Sequence, residues 1–123
     1  MCKTNRNQEY TAEEVEKHNK IEDLWIIIDG KVYDVTKWRT QHPGGELIFM
    51  GVAGKDASVA YGSFHQKSVS DKYLKAFEVG YIGNYKKSKL SLAYQQLKEK
   101  IEADGLYETD YKFYYKLLVW YVF

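Results

Sequence analysis

Apolar residues in this chain fall in short runs of differing period. Leu24-Trp25-Ile26-Ile27-Ile28 and Lys31-Val32-Tyr33-Asp34-Val35 are rich in β-branched and aromatic side chains, and the Asp29-Gly30 between them suits positive φ at both turn positions. A β-hairpin is predicted. Upstream, Thr11-Ala12-Glu13-Glu14 has the form of a capping box, so a short helix is expected from there to about His18. Downstream, Thr36 is placed to cap one helical turn through Trp38. That turn has to stop at His42, because the chain's only proline, Pro43, pushes the residue before it out of the α region. Further short helices are expected over residues 46–52, from a cap at Asp56 to Phe64, and from a cap at Ser70 to about Phe77. Tyr81-Ile82-Gly83 reads as a closing strand, with Tyr81 and Phe77 as packing residues. A longer periodic helix is expected over residues 89–103, stopped at Gly105, followed by an aromatic tail from Tyr107 to Phe123.

Strands and helices are thus segregated, which favours an α+β fold with a small mixed sheet over a parallel βαβ arrangement. The character of the sequence changes once, near residue 84. Residues 1–85 read as one domain and 86–123 as a helical linker with an apolar tail. At 123 residues there is room for one compact core. Eighteen basic against seventeen acidic residues provide no field for gripping nucleic acid. One cysteine, Cys2, excludes an internal disulfide, a CxxCH attachment site and thiolate-rich metal cages. No apolar stretch reaches the roughly 20 residues that span a bilayer, and residues 1–10 lack a signal-peptide core, so a cytosolic location is expected.

The candidate chemistry lies in two of the three histidines. His42 and His65 each stand at the predicted end of a short helix, and each has an aromatic residue four positions upstream, Trp38 and Tyr61. Positions i and i+4 share a helix face, so each arm is expected to present an imidazole beside an aromatic wall. Ile48, Phe49 and Val52 lie between the arms, and Phe64 adjoins the second histidine. An apolar slot with an imidazole on each side suits a flat hydrophobic disc with a metal at its centre. Ligation through Nε2 requires Nδ1–H to be held, with a backbone carbonyl of the loop as the expected acceptor. Trp38 and Tyr61 are equally readable as core, and Trp25, Ile27 and Tyr33 are assigned to the core. Zinc is the rival metal, but two distant imidazoles and Cys2 make a poor tetrahedral set. His18 follows a charged helix and reads as a solvated surface histidine.

Residues 9–85 resemble a cytochrome b5-type haem-binding domain. The resemblance is carried by Trp25 through Trp38 (WIIIDGKVYDVTKW), His42-Pro43-Gly44-Gly45-Glu46, Gly54-Lys55-Asp56-Ala57 and Phe64-His65. It implies non-covalent haem b with His42 and His65 as axial ligands, short helices forming the clamp, and a pocket lined by Ile28, Val35, Trp38, Ile48, Phe49 and Tyr61, with Phe64 beside it. Six-coordinate iron implies one-electron transfer at the haem edge. The interval between the histidines is one residue shorter than in the microsomal members. Gln66 stands where a propionate-binding Ser often follows the ligand, so Gln66 and Lys67 are the candidates for that role. Of the family's acidic collar only Glu46 remains, with Leu47, Gly51 and Ser63 at the other positions. Electrostatic steering should be weak, which suits a domain tethered to its electron acceptor.

The segment Leu97 to Phe123 resembles, more loosely, the junction between the haem domain and the first membrane span of front-end fatty acyl desaturases. The partners implied are an NAD(P)H-dependent cytochrome b5 reductase and an acyl desaturase, in cis or in trans, on the cytosolic face of the endoplasmic reticulum. Three histidines cannot supply the di-iron boxes of such an enzyme, so this polypeptide is expected to carry electrons without desaturating anything itself. The tail is either the start of a membrane helix or an amphipathic element, and Lys86, Lys87 and Lys89 read as a solvated linker. An independent cytochrome b5-type carrier and a non-redox ligand-binding or regulatory module of the same shape are the alternatives.

Overall fold

The computed structural model describes residues 6–65 and 73–122. Ser70, Gln66, Lys67 and Cys2 lie outside them, so the cap of the expected third short helix and the propionate candidates receive no structural account. The elements in chain order are β1 (Glu9–Tyr10), α1 (Ala12–Glu16), β2 (Asn19–Lys20), β3 (Asp23–Ile28), β4 (Lys31–Asp34), a 3₁₀ turn (Arg39–Gln41), α2 (Leu47–Met50), α3 (Ser58–Phe64), β5 (Glu78–Ile82), α4 (Lys89–Ala103) and α5 (Tyr111–Val122). The chain divides into two compact units, one ending at Ser91 and one beginning at Leu92.

The first unit is built on a five-stranded mixed sheet of order β1-β5-β4-β3-β2. Its centre is the predicted hairpin, paired from Trp25↔Asp34 to Ile28↔Lys31. Asp29 (φ 49°) and Gly30 (φ 81°) make the two-residue turn in the left-handed conformation that matches strand twist. β5 pairs antiparallel with β4, and β1 runs parallel to β5. Strands β1 and β2 have no counterpart in the sequence pattern, since two residues cannot display alternation.

Alternation along β3 and β4 divides the core between the two faces of the sheet. Leu24, Ile26, Ile28, Tyr33 and Val35 point to one face, where they pack with Phe49, Ala53 and Ala57. Ile27 and Val32 point to the other, with Val15 and Val79, and Trp25 packs against them. The assignment of Trp25, Ile27 and Tyr33 to the core therefore holds. Tyr81 differs from expectation: it is 42% exposed, whereas Phe77 packs against the first cluster.

α1 opens with the predicted capping box. Glu14 N–H donates to Thr11 Oγ1 at 3.2 Å, and Thr11 N–H donates to Glu14 Oε2 at 2.8 Å. Thr36, by contrast, caps no helix. Its amide donates to Asp34 Oδ1 at 3.0 Å, its hydroxyl donates to the same oxygen at 2.6 Å, and Oγ1 accepts from Leu24 N–H at 2.9 Å. Local side-chain bonding has taken the place of a cap. The turn starts instead from the Val35 carbonyl, which accepts from the Trp38 and Arg39 amides at 3.0 Å each, and continues into the 3₁₀ segment. It ends at His42 (φ −70°, ψ 126°), extended as its position before Pro43 requires.

In the second unit α4 ends at Ala103, with Gly105 (φ 68°) just beyond it, as the sequence predicts. α5 is capped by Asp110, whose Oδ1 accepts from Lys112 N–H at 3.0 Å and Phe113 N–H at 3.2 Å. Its large apolar side chains are exposed on all sides, from Phe113 to Trp120 and Val122. Among the described residues no helix is long and apolar enough to cross a membrane.

Candidate haem site

His42 is held by the turn that follows it. Its Nδ1 accepts from the Gly44 amide at 3.1 Å, and the Gly45 backbone bonds the ring as well. The close approach requires glycine at 44, where a Cβ would come within 2.8 Å of His42 Cε1 and 3.0 Å of Nδ1. Burial, and then His65 facing it, hold the His42 imidazole below its ordinary pKa, while the Gly45 bond opposes them. The ring therefore stays neutral to lower pH, and neutral imidazole is the form that ligates a metal.

His65 is set by the last turn of α3. Tyr61, four residues back, stacks on its ring at 4.4 Å between centroids with planes 10° apart. The Tyr61 carbonyl accepts from the His65 amide at 3.0 Å and lies 3.1 Å from Nδ1. That contact places the proton on Nδ1 and leaves the Nε2 lone pair free.

The two imidazoles come together with ring centroids 5.8 Å apart and planes inclined at 52°. Two rings sharing one metal through bonds of about 2 Å on opposite sides need roughly 6 Å between centroids. Spacing, the lowered pKa of His42 and the Nδ1–carbonyl contact of His65 fit a bis-imidazole metal site, and the apolar surroundings fit a porphyrin. Among the described residues no group of three or more His, Cys, Asp or Glu is placed to hold a metal, so the zinc alternative finds no donor set there.

The remaining residues named from the sequence take different places. Ile28, Val35 and Phe49 are buried in the core cluster on this face of the sheet, and Phe49 also meets His42 edge-on at 4.9 Å. Trp38 packs on that cluster, with Phe77 at 5.4 Å and Tyr73 at 6.4 Å as its ring partners. The aromatic wall of His42 is therefore Phe49 and not Trp38, because a 3₁₀ segment rather than α-helix separates residues 38 and 42. Ile48, whose side chain approaches Gly44, is 47% exposed, and Phe64 is 78% exposed. Leu47 and Met50 are exposed too, and Glu46 Oε2 lies 3.6 Å from Arg39 Nε. His18 is not simply solvated: it stacks on Trp25 at 3.8 Å and bonds Asp23 at 2.6 Å.

With this geometry in place, the chain can be set beside known proteins. Residues 11–83 match the cytochrome b5-like haem/steroid-binding domain. The chain is 45% identical over 111 residues to acyl-lipid (8-3)-desaturase B of Dictyostelium discoideum, covering 82% of this chain and 23% of that protein. It is 38% identical over 95 residues to a Δ8-fatty-acid desaturase of Borago officinalis, covering 77% and 21%. The chain thus spans less than a quarter of the length of these curated relatives. Among solved structures it resembles the cytochrome b5 of Ostreococcus tauri virus 2, with 39% identity and a TM-score of 0.57 over 60% of this chain and 95% of that one. Cytochrome b558 of Ectothiorhodospira vacuolata, a prokaryotic homologue of cytochrome b5, gives 28% identity and a TM-score of 0.56 over 61% and 98%. These relatives are desaturases, as the sequence resemblance implied, and the fold is the α+β cytochrome b5 type expected from the motifs. This chain belongs to the cytochrome b5-like haem-binding domain family.

Proposed function

We propose that residues 1–85 bind haem b non-covalently, with His42 and His65 as the two residues that would hold its iron, and act as a one-electron carrier. The observation that carries this reading is the His42–His65 pair, 5.8 Å apart at the ring centres with the His65 Nδ1 turned to a backbone carbonyl. Bound there, haem supplies a one-electron couple. The protein's part is to hold two imidazoles at fixed spacing, so that neither has to reorient when the charge changes. Phe49 and Tyr61 limit ring motion, while Ile28 and Val35 belong to the apolar core on that side of the sheet. Two protein imidazoles on the metal would leave it to electron transfer rather than to substrate binding.

The electron source in this reading is an NAD(P)H-dependent cytochrome b5 reductase, and the recipient is an acyl desaturase, in cis or in trans, at the cytosolic face of the endoplasmic reticulum. Support for the recipient comes from the desaturase relatives, of which this chain matches under a quarter of the length. Residues 86–123 act as a helical linker and apolar tail. The test is reduction of the haem-loaded protein by NADH and a cytochrome b5 reductase. Stoichiometric one-electron cycling is expected. Bound iron that the reductase cannot cycle overturns the carrier reading in favour of a non-redox module.

A further inference from the structure

The segment leaving β5 is fastened to the first unit by contacts that the haem site does not use. The Tyr85 ring lies over Gly30, where a Cβ would come within 2.7 Å of Tyr85 Cδ1. The Tyr85 hydroxyl donates to Asp56 Oδ2 at 2.8 Å and is 3.4 Å from Ser58 Oγ. Asp56 Oδ1 in turn accepts from the Ser58 amide at 2.9 Å and from the Ser58 hydroxyl. Ser58 Oγ also accepts from Asp29 N–H at 2.8 Å, and Lys87 Nζ is 3.1 Å from Asp29 Oδ1. Asp56 and Ser58 form the root of α3, the helix that ends at His65. The other end of the clasp is the β3–β4 turn, held to the same root through Ile27, whose amide donates to the Lys55 carbonyl at 3.0 Å and whose carbonyl accepts from Ala57 N–H at 2.8 Å.

We propose that Tyr85 is a clasp that locks the outgoing chain onto the hairpin turn and the root of the His65 helix, so that the tether starts beyond Lys87 instead of at Gly83. The four residues between take up to about 14 Å out of the reach of the free segment. α4 follows at once: Ser88 Oγ accepts from the Ser91 amide at 3.0 Å, and Ser91 is buried. Lys87 is accordingly engaged, whereas the sequence reads it as part of a solvated linker. The clasp itself does not depend on the redox reading. Its consequence does: a short, fixed departure point raises the effective concentration of the haem domain at a partner joined in cis and limits the orientations it samples.

The test is amide hydrogen exchange, followed by mass spectrometry, on the full chain without haem, so that a failure of the clasp is separable from a failure of haem binding. Tyr85→Phe keeps the ring over Gly30 and removes only the hydroxyl. Loss of a hydrogen bond to a carboxylate is expected to speed exchange across residues 84–91 by about tenfold. Tryptic cleavage after Lys86 and Lys87 should rise by a similar factor. Asp56→Asn should do the same, and the double variant should be no faster than either alone. Exchange in Tyr85→Phe equal to that of the parent, or effects of the two variants that multiply, would overturn the clasp.

Discussion

One oxygen fixes the orientation of His65: the carbonyl of Tyr61 accepts from its backbone amide at 3.0 Å and lies 3.1 Å from its ring Nδ1. The carbonyl survives any substitution at 61, whereas the stacked ring does not. Tyr61→Leu is therefore expected to keep haem ligation but to lose about 0.5–1.5 kcal/mol of aromatic contact. Haem transfer to a high-affinity acceptor should run about two- to tenfold faster, with Tyr61→Phe close to the parent. A Tyr61→Phe variant as fast as Tyr61→Leu would place the effect in the hydroxyl instead of the ring.

Two adjacent glycines should give different phenotypes. A methyl at 44 meets the His42 ring, so Gly44→Ala is expected to weaken haem binding and change its spectrum. Gly45 has open space around its missing Cβ but sits at φ 79°, so Gly45→Ala should cost roughly 1–2 kcal/mol of stability and leave the spectrum alone. Denaturant unfolding beside absorption spectra of the haem-loaded variants separates the two, and identical behaviour contradicts this account of Gly44.

Phe49 joins the core to the site, being 7% exposed in the core cluster and edge-on to His42. Phe49→Ala should destabilise the protein by about 3–5 kcal/mol. Apo-protein unfolding measures that loss. A cost under about 1 kcal/mol would mean that the core closes over the gap.

The pH dependence at Tyr85 has a definite sign. Burial raises the pKa of its hydroxyl, with Asp56 and Asp29 adding to the rise and the Ser58 bond opposing it. A group whose folded value is raised contributes stability that is whole below its unfolded value of about 10 and is lost as pH climbs through the folded value. The stability advantage of the parent over Tyr85→Phe should therefore be constant at neutral pH and shrink in strongly alkaline solution. Urea titrations of the pair at a series of pH values check this, and an advantage that grows with pH contradicts it.

Much of this was legible in the sequence because the signals were local. Thr11 and Glu14 formed the capping box, Asp29 and Gly30 the turn, Pro43 the end of the helical turn at His42, and Gly105 the stop after α4. Where a competing local bond existed the pattern misled: Asp34 captured Thr36, and the helical turn began from Val35. The candidate site was legible as two histidines in a motif, which the fold brings to 5.8 Å between ring centres. Its supporting shell was not, because the Trp38-to-Phe49 exchange beside His42 depends on a 3₁₀ geometry that spacing does not reveal. The Tyr85–Asp56 bond spans twenty-nine residues, a tertiary contact that no periodicity signals.

The central claim is tested most directly by electron paramagnetic resonance of the ferric, haem-loaded protein. A low-spin bis-imidazole signal is expected in the parent, with its loss in both His42→Ala and His65→Ala. A high-spin signal in the parent, or a low-spin signal unchanged by either substitution, would contradict ligation by that pair.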